Sequence, residues 1–436
     1  MKKSVIICGA VSLLVAAAGA LFALSESSRT KMISDVLKHN RTLTSKEKEL
    51  LDMNHDGTVT TNDLILAKLA AVLQGDRDSL PVFYSPVAAK QLGRTVYHED
   101  TKTLWCSYSG TGIEFRFLGE TCCFTLVGDS ACTQGELISP RYALYVDGVL
   151  SEDSLLSEKE RTITINGDAA EYHTVRLVKL SESAQSAFGI RDLCVYGAEG
   201  DQTTALTATE AAPHLIEFIG DSITCGYGVD GEFQKDSFKT ANENAEKAYA
   251  ILTAKKLNAD YSLVCFSGHG IISGYTGNGK LNKNQILTKY YTQLGHASAR
   301  LESDRKIQDD EWDFSVQPDL IVINLGTNDA SYTQSSASRQ KSFAEGYTEF
   351  LKLIRSKNPD APILCTLGIM GQTLCDAVDD AVASYTEQTG DSNICTMRFE
   401  QQDQADGYAV DWHPSAATHE KASDQLAAFI KDWLKW

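Results

Sequence analysis

Three short polar segments, far apart along the 436-residue chain, together hold the residue types of nucleophilic acyl transfer. A Gly-Asp-Ser string ends at Ser222, directly after the apolar run 215–219, and an Asp-Trp-His-Pro string contains His413. Between them, a Gly-Thr-Asn string ends at Asn328. A serine hydroxyl becomes a nucleophile when a nearby base accepts its proton, and amide N–H groups can stabilise the oxyanion that forms. The three segments could therefore supply a nucleophile, a base and an oxyanion donor.

His413 is the candidate base, because an aspartate and a proline stand so close to it. Asp411, two residues earlier, could hold the imidazole in one tautomer, as the acid of a catalytic triad does. His419, six residues further on, is the competing histidine. The ordinary structural interpretations are a helix N-cap for Ser222 and a surface position for either histidine. We predict Ser222, His413 and Asp411 as the catalytic residues.

The oxyanion of a tetrahedral intermediate needs two or three donors aimed at one oxygen. The predicted donors are the backbone N–H groups of Ser222 and Gly268 and the side-chain amide of Asn328. Gly268 lies in a Ser-Gly-His-Gly string directly after the apolar run 261–266, and Gly270 in the same string is its rival. The alternative role for Asn328 is to cap a turn.

Two aromatic residues near these segments are predicted to bind substrate. Trp412 lies between Asp411 and His413, where its indole could stack on the apolar face of a sugar ring. Tyr227 follows Ser222 by five residues and is the second candidate. The alternative for Trp412 is a wedge packed beneath its own loop.

An alternation of strand and helix patterns, from about residue 209 onward, would position these side chains. Short unbroken apolar runs are typical of parallel strands that are buried on both faces. Such runs occupy 215–219, 261–266, 320–325 and 363–367, and helix-like stretches occupy 245–257, 339–356 and 417–434. The alternation predicts a doubly wound α/β domain with a parallel sheet. Chemistry in such domains collects at the carboxyl ends of the strands, where the polar segments fall.

The region before it, from about 94 to 197, alternates apolar and polar residues instead. The segment Ile-Glu-Phe-Arg-Phe at 113–117 is one such run, and Asp-Gly at 147–148 and Asn-Gly at 166–167 follow others. Alternation predicts half-buried strands, and these dipeptides predict tight hairpins. We therefore expect an all-β sandwich. Its function could be to bind sugar or to support the domain that follows.

The N-terminus and the composition indicate where the protein works. Two lysines, a long apolar stretch and a run of small residues predict a signal peptide over 1–24. Because the apolar stretch is long, an uncleaved membrane anchor is the alternative. The formal net charge of -18 argues against nucleic acid or an anionic membrane as a partner. We expect a secreted, extracellular protein with no membrane contact beyond this segment.

A twelve-residue acidic loop begins at residue 52. Its first, third, fifth, seventh and twelfth positions are Asp52, Asn54, Asp56, Thr58 and Asp63, and glycine occupies the sixth. Oxygen ligands at alternating positions around a sharp glycine turn are the pattern of an EF-hand calcium loop, with aspartate here in place of the final glutamate. We predict that these five residues bind Ca²⁺. The alternative is a solvated acidic turn between two helices.

The loop and the helix after it resemble the second repeat of a dockerin, the module that attaches enzymes to cohesin-bearing scaffold proteins. Only one such loop is visible in the sequence. The resemblance implies a structural Ca²⁺ in this segment and a cohesin-bearing scaffold protein as a partner.

The polar segments of the last domain, taken in their order, resemble the four blocks of the SGNH (GDSL-type) hydrolases. Most members of that superfamily carry the aspartate three residues before the histidine, whereas Val410 stands there in this chain and Asp411 follows it. This departure, the string Glu-Phe-Ile-Gly-Asp-Ser-Ile-Thr-Cys-Gly-Tyr-Gly at 217–228 and the preceding β domain are similar to carbohydrate esterase family 2. That family joins a jelly-roll to an SGNH domain and removes acetyl groups from plant polysaccharides.

The resemblance implies a jelly-roll sandwich followed by a flavodoxin-like α/β SGNH domain. It also implies a metal-independent mechanism based on serine and histidine, in which the aspartate is not uniformly used. The resulting domain prediction is a signal peptide at 1–24, a dockerin-like segment at 30–75, a linker at 76–90, the jelly-roll at 91–205 and the SGNH domain at 210–436.

The predicted function is a secreted carbohydrate O-acetyl esterase that acts on acetylated plant polysaccharide, xylan or glucomannan, without a cofactor for catalysis. Two alternatives remain. One is a GDSL-type lipid or aryl esterase with the same catalytic residues. The other is a non-catalytic glycan-binding scaffold component in which the β domain carries the function. An open, aromatic-lined cleft would favour glycans, and an apolar tunnel would favour long acyl chains.

Overall fold

A computed structural model describes most of the chain. The described residues are 31–34, 36–37, 43–52, 58–60, 63–64, 67, 81–198, 203–297 and 299–436. The signal peptide predicted over 1–24 lies outside them, as do Asn54 and Asp56 of the predicted calcium loop. No helix in the described ranges is both long enough and apolar enough to span a bilayer.

The N-terminal segment contributes a short helix, α1 (Ser45–Leu51). Thr44 caps it, since its hydroxyl accepts from Glu47 N–H while the Glu47 carboxylate accepts from Thr44 N–H. Apolar side chains of this segment pack against one sheet of the following domain. The cluster comprises Ile33, Val36, Leu37, Leu51, Leu64 and Ala67 of the segment and Cys123, Cys194 and Tyr196 of the sheet.

Two antiparallel sheets form the next domain and pack face to face. Their strands are β1 (Val82–Phe83), β2 (Lys90–Leu92), β3 (Thr95–His98), β4 (Thr103–Cys106), β5 (Gly112–Leu118), β6 (Thr121–Gly128), β7 (Arg141–Val146), β8 (Val149–Leu155), β9 (Glu160–Asn166), β10 (Tyr172–Lys179), β11 (Phe188–Tyr196) and β12 (Ala205–Ala208). One sheet has the order β3-β4-β11-β6-β9, with β1 also paired to β11. The other has the order β12-β5-β10-β7-β8, with β2 also paired to β5. The predicted all-β sandwich is confirmed.

The sandwich core follows from the alternation in the strands. Phe115 and Phe117 of β5 and Phe124 of β6 are fully buried between the two sheets, while the intervening Arg116 is exposed. Successive side chains of a strand point to opposite faces, so a period of two buries one face and leaves the other to solvent.

One predicted hairpin is confirmed and the other is wrong. Asp147 and Gly148 both have positive φ, 51° and 77°, and join β7 to β8 as a primed turn requires. The dipeptide at 166–167 does not form a hairpin, because β9 pairs with β6 and β10 pairs with strands of the other sheet. Glycine is required there for another reason: a Cβ at Gly167 would lie 2.8 Å from the carbonyl oxygen of Gly119.

The predicted linker at 76–90 also needs correction, because part of it belongs to the sandwich. Val82–Phe83 pairs with β11, and Tyr84 N–H donates to the carbonyl of Leu193. The polar, turn-rich composition of this stretch indicates a linker, but its main-chain groups complete a sheet edge.

The last domain is a five-stranded parallel sheet with helices on both faces. Its elements are β13 (His214–Gly220), α2 (Ser222–Cys225), α3 (Tyr249–Lys256), β14 (Ala259–Cys265), β15 (Leu320–Asn324), α4 (Thr327–Thr333), α5 (Ala337–Lys357), β16 (Ile363–Leu367), α6 (Cys375–Thr389), β17 (Ile394–Arg398) and α7 (Ala416–Leu434). The strand order is β14-β13-β15-β16-β17, and every pair is parallel. This is the flavodoxin-like order, which places a ligand-binding crevice where the order reverses, beside the carboxyl ends of β13 and β15.

Two apolar layers cover the two faces of this sheet. Helices α5 and α6 cover one face with residues such as Phe350 and Val378, and α3 and α7 cover the other with residues such as Tyr249 and Leu426. The predicted strands correspond to β13 to β16. The fifth strand, β17, escaped prediction because it lies at the edge, and only Ile394 and Met397 in it are buried.

Candidate active site

The nucleophile candidate lies on a tight turn between β13 and α2. The Asp221 carboxylate accepts from Ile223 N–H at 3.1 Å and caps α2, so Ser222 is the first residue of the helix. Gly220 permits the turn, because a Cβ there would lie 2.0 Å from Thr224 Oγ1. Ser222 is thereby held at the carboxyl end of the first strand, with 5% of its surface exposed.

The structure brings Ser222 and His413 together across 191 residues of sequence. His413 Nε2 lies 2.8 Å from Ser222 Oγ, and His413 Nδ1 lies 3.1 Å from the carbonyl oxygen of Val410. A carbonyl oxygen can only accept, so Nδ1 carries the proton and Nε2 is free to accept from the serine. Burial lowers the pKa of His413 to about 4, so the ring is neutral near pH 7 and can act as a base.

Asp411 does not make the predicted contact with His413. Its carboxylate accepts from the Tyr227 hydroxyl at 2.9 Å, and its backbone has a left-handed φ of 52°. The Val410 carbonyl occupies the position expected for the aspartate and supports the histidine instead. The prediction that Asp411 orients His413 is therefore corrected, since in this structure Asp411 anchors Tyr227, whose ring stacks on His413 at 4.1 Å.

Two of the three predicted oxyanion donors are backbone groups that point to no acceptor. In the described part of the chain, nothing accepts from the N–H groups of Ser222 and Gly268. The rival Gly270 is engaged, because its N–H donates to the carbonyl of Gln285 at 3.1 Å. Of the two glycines in this string, Gly268 is therefore the one whose backbone N–H has no acceptor among the described residues.

The third predicted donor, Asn328, lies on α4 at the same edge of the sheet. Its Nδ2 donates to the carbonyl of His269 at 2.8 Å and to the Asp221 carboxylate at 3.2 Å. Both amide hydrogens are thus engaged, and donation to a substrate oxygen would replace or share the longer of the two bonds. Burial raises the pKa of Asp221 to about 7.

The second histidine near the C-terminus has a structural position. His419 is 1% exposed, and its Nδ1 accepts from Tyr249 N–H at 3.1 Å. It has no contact with Ser222 in the described residues. The choice of His413 over His419 as the candidate base agrees with this geometry.

An open cavity of about 570 Å³ surrounds these groups. Its lining includes Ser222, Gly268, Asn328, His413, Trp412 and Tyr227. The Trp412 side chain is 56% exposed and contacts the ring of Phe233 edge-on, with 4.6 Å between centroids. Tyr275, 62% exposed, lies on the same cavity and was not predicted, because it belongs to an irregular loop with no sequence pattern. The cavity is an open cleft lined by exposed aromatic residues.

Three of the five predicted calcium ligands are described. Asp52 and Asp63 are buried, 8% and 0% exposed, and Thr58 is exposed. Asp63 accepts from the backbone N–H of Thr60 at 2.7 Å. Carboxylates at the first and last positions of the loop are thus withdrawn from water, which costs free energy unless partners or a cation compensate. The chemistry of this donor set fits a hard divalent cation.

Both structural domains match known families. The model of the carbohydrate esterase 2 N-terminal family matches residues 91–199, and the model of the GDSL-like lipase/acylhydrolase family matches residues 218–421. These ranges coincide with the sandwich and with the parallel-sheet domain.

Curated relatives cover the same region. A cellulase/esterase, CelE, from Acetivibrio thermocellus is 33% identical over 338 residues, which is 76% of this chain; the chain spans only 38% of the length of CelE. An acetylxylan esterase/glucomannan deacetylase from Cellvibrio japonicus is 32% identical over 268 residues, which is 59% of this chain and 67% of the relative.

Solved structures share the two-domain architecture. A family two carbohydrate esterase from Clostridium thermocellum, in complex with cellohexaose, is 29% identical, has a TM-score of 0.66, and covers 79% of this chain and 99% of its own. An acetyl xylan esterase from Butyrivibrio proteoclasticus, with a TM-score of 0.72 at 22% identity, covers 82% of this chain and 99% of its own and shows the same fold. From the two family models in this order and the relative matched over 67% of its length, the chain belongs to carbohydrate esterase family 2.

Proposed function

We propose that this chain is a carbohydrate O-acetyl esterase in which Ser222 attacks the acetyl carbonyl carbon. His413 accepts the serine proton at Nε2 and returns it to the departing sugar oxygen. The N–H groups of Ser222 and Gly268, with Asn328, hold the oxyanion. Water, activated by His413, then attacks the acyl-enzyme and releases acetate.

The observation that carries this proposal is the contact between nucleophile and base. Ser222 Oγ lies 2.8 Å from the accepting nitrogen of a neutral His413, and two unengaged backbone N–H groups line the same cavity. A neutral imidazole within hydrogen-bond distance of a serine hydroxyl is the requirement for general-base activation.

The proposed substrate is an acetylated plant polysaccharide, xylan or glucomannan. The cleft is open and is lined by the exposed aromatic residues Trp412 and Tyr275, a residue type on which pyranose rings stack. The Clostridium thermocellum relative was solved with cellohexaose, and the Cellvibrio japonicus relatives are named for acetylxylan and glucomannan. These names and this cleft support a glycan rather than a lipid substrate.

Acetate release from a panel of esters tests the proposal. Acetylated xylan and glucomannan should be hydrolysed far faster than a long-chain ester of the same leaving group, and Ser222→Ala should abolish release from all of them. Faster hydrolysis of the long-chain ester would favour the lipid or aryl esterase. Unchanged acetate release by Ser222→Ala would exclude Ser222 as the nucleophile.

We further propose that the N-terminal segment binds Ca²⁺ through Asp52, Asn54, Asp56, Thr58 and Asp63 and docks on a cohesin-bearing scaffold. The spacing of the oxygen ligands and the burial of the two end carboxylates support the ion. The scaffold partner rests on the resemblance to a dockerin repeat alone.

Calorimetry on the secreted protein, with the sandwich and the α/β domain in place, tests the calcium site. We expect one exothermic or endothermic Ca²⁺-binding event that Asp52→Ala abolishes, while Lys102→Ala, on an exposed turn of the sandwich, leaves it intact. Absence of binding heat in the native chain would remove the calcium assignment. A cohesin added to the calcium-loaded chain then tests the scaffold partner.

Secretion is proposed from the signal peptide predicted over 1–24. The mass of the protein recovered from the culture medium should correspond to a chain that starts near residue 25. Recovery of the full-length mass from the membrane fraction would instead identify the N-terminal segment as an anchor.

A further inference from the structure

A loop of the sandwich places a carboxylate directly behind the cleft. Glu182 lies in the loop between β10 and β11 and is 0% exposed. Its Oε2 accepts from the backbone N–H of Ser267 at 2.7 Å. Ser267 belongs to the α/β domain, so this bond joins one domain's side chain to the other domain's active-site loop.

The bonded residue immediately precedes Gly268, which lines the cleft and whose N–H has no acceptor among the described residues. The carbonyl of Ser267 is held by His269 Nδ1 at 2.9 Å, and the carbonyl of Gly268 accepts from Tyr275 N–H at 2.8 Å. Ser267 C=O and Gly268 N–H belong to one planar trans peptide and point in opposite directions. Any rotation of Ser267 therefore turns the Gly268 N–H away from its target.

Burying this carboxyl group is costly, and it is only partly offset. The Ser267 N–H and the nearby ammonium group of Lys179 offset part of this cost. The main chain of Glu182 is held separately, because its N–H donates to Glu243 Oε2 at 2.8 Å and its carbonyl accepts from Lys179 Nζ at 3.0 Å. Burial raises the pKa of the carboxyl groups of both Glu182 and Glu243. An apolar side chain would fill the same space without that cost, but it could not accept the Ser267 N–H.

We propose that Glu182 is a positioning residue for the ester hydrolysis: the sandwich supplies it to hold Ser267, and thereby to aim the Gly268 N–H at the acyl oxygen. The inference rests on the proposed function. Under this proposal the sandwich takes a direct part in the reaction, because the acceptor for the Ser267 N–H is a side chain of the sandwich and not of the α/β domain.

Two substitutions of similar size separate the acceptor from the space it fills. Glu182→Gln keeps an oxygen for the Ser267 N–H, whereas Glu182→Leu keeps the bulk and removes the acceptor. Because loss of one oxyanion donor costs about 10²–10³ in rate, we expect Glu182→Leu to lower kcat by about 10- to 100-fold with KM changed less than about twofold. Glu182→Gln should stay within about fivefold of the wild-type kcat. Rates are normalised to the fraction of Ser222 that a fluorophosphonate titrates.

The inhibition constant of a small alkylboronic acid is a measurement that a loss of stability alone would not change. The boronic acid forms a tetrahedral adduct with the serine and mimics the intermediate. Its Ki should rise in Glu182→Leu by the same factor by which kcat/KM falls, because both report the aim of the oxyanion donors.

Glu246→Gln is the matched control, since Glu246 is another buried acid at the domain interface. It accepts from Arg176 Nη1 of the sandwich at 2.8 Å and has no contact with Ser222, Gly268 or His413 in the described residues. This variant should keep its kcat and its boronate Ki.

Three outcomes would overturn the inference. They are a Glu182→Leu enzyme with wild-type kcat and Ki, a Glu182→Gln enzyme as impaired as Glu182→Leu, and an equal loss in Glu246→Gln. If Glu182→Leu does not fold, Glu182→Ala replaces it with the same expectation. A wild-type protein that releases no acetate would instead refute the proposed function, so the two failures are distinct.

Discussion

At the scale of single residues, the proposed catalytic centre is a serine-histidine pair supported by a backbone carbonyl. His413 accepts from Ser222 on one side and donates to Val410 on the other. The carboxylate of Asp411 is engaged by Tyr227 and stabilises the ring only at a distance. The orientation of the imidazole is therefore set mainly by the loop that carries it.

Asp411→Asn should therefore have a small effect. Where an aspartate carboxylate itself orients the histidine, this change costs about 10⁴-fold in kcat. Here the asparagine can still accept from Tyr227, and the Val410 carbonyl remains, so we expect kcat on acetylated xylan to fall less than about tenfold. His413→Ala, measured in parallel, should lose at least about 10³-fold. A loss of that size in Asp411→Asn would restore Asp411 as a member of a triad.

The pH profile should reflect the lowered pKa of His413. The base must be neutral to work, so activity is present above its pKa and is lost as the pH falls through it. With a pKa of about 4 rather than the usual value of about 6.5, kcat/KM should change little between about pH 7.5 and 5.5.

Initial rates with an activated acetate ester, from pH 3.5 upward, check this profile, with circular dichroism confirming the folded state at each pH. Asp221→Asn is the control, because the Asp221 carboxyl group, whose pKa burial raises to about 7, also titrates in this range. An acid limb centred near pH 6.5 in both enzymes would contradict the expectation.

At the scale of elements, the loops that carry the proposed nucleophile and the proposed base contact each other at Gly228. Gly228 has a left-handed φ of 60°, and a Cβ there would lie 2.5 Å from the Cβ of Val410. The base loop is itself strained, since Asp411 and Trp412 have φ of 52° and 64° although neither is glycine. The close approach of Gly228 to Val410 and the strained backbone at Asp411 and Trp412 together hold the Val410 carbonyl within hydrogen-bond distance of His413 Nδ1.

Gly228→Ala should damage activity beyond its effect on folding. The new methyl group is strained at positive φ and pushes Val410 away, so the distance between Ser222 and His413 should grow. We expect kcat to fall by at least about tenfold and the free energy of unfolding to fall by about 1–3 kcal/mol. Urea unfolding and acetate release measure the two effects.

Gly148→Ala is the matched control for this substitution. Gly148 has a φ of 77° in the hairpin between β7 and β8, outside the lining of the cleft, and no atom of the described residues lies within 4 Å of a Cβ built there. It should lose about 1 kcal/mol from the backbone alone and keep its kcat. An equal loss of kcat in both variants, or in neither, would refute the contact with Val410 as the cause.

At the scale of the whole molecule, a buried ion pair joins the sandwich to the first strand of the parallel sheet. Arg94, 1% exposed, donates to Glu217 Oε2 through Nε at 3.1 Å and Nη2 at 2.8 Å. Its Nη1 donates to the carbonyl of Tyr291, whose hydroxyl donates back to Glu217. Every polar group of this pair is engaged, as burial of charge requires.

Arg94→Leu should strongly destabilise the fold, because it leaves Glu217 buried without its partner. We expect a loss of about 3–5 kcal/mol in the free energy of unfolding, measured in urea, and a smaller loss in the double variant Arg94→Leu/Glu217→Leu. The exposed pair Lys102 and Glu99 is the control, and Lys102→Leu should change stability by less than about 1 kcal/mol. Additive losses in the double variant would show that the two side chains do not act as a pair.

The sequence by itself determined the class of each domain and the edge of the sheet where the chemistry collects. Strands buried on both faces have unbroken apolar runs, and half-buried strands have alternating apolar and polar residues. Both types of sheet could therefore be recognised from the sequence. Ser222, Gly268 and Asn328 could be placed at this edge because each lies two or three residues after such a run. The pairing of Ser222 with His413 followed from residue types and their order, and the family resemblance named the same residues.

Only the tertiary structure decided which groups support the candidate site residues. The Val410 carbonyl is a main-chain atom that every residue possesses, so no side-chain pattern distinguishes it from the expected role of Asp411. Glu182 stands 85 residues before Ser267, in another domain, and its bond exists only because the sandwich packs against the sheet. Local patterns report which face of an element is buried, whereas contacts between distant loops depend on how the elements pack, and a sequence read locally contains no record of that packing.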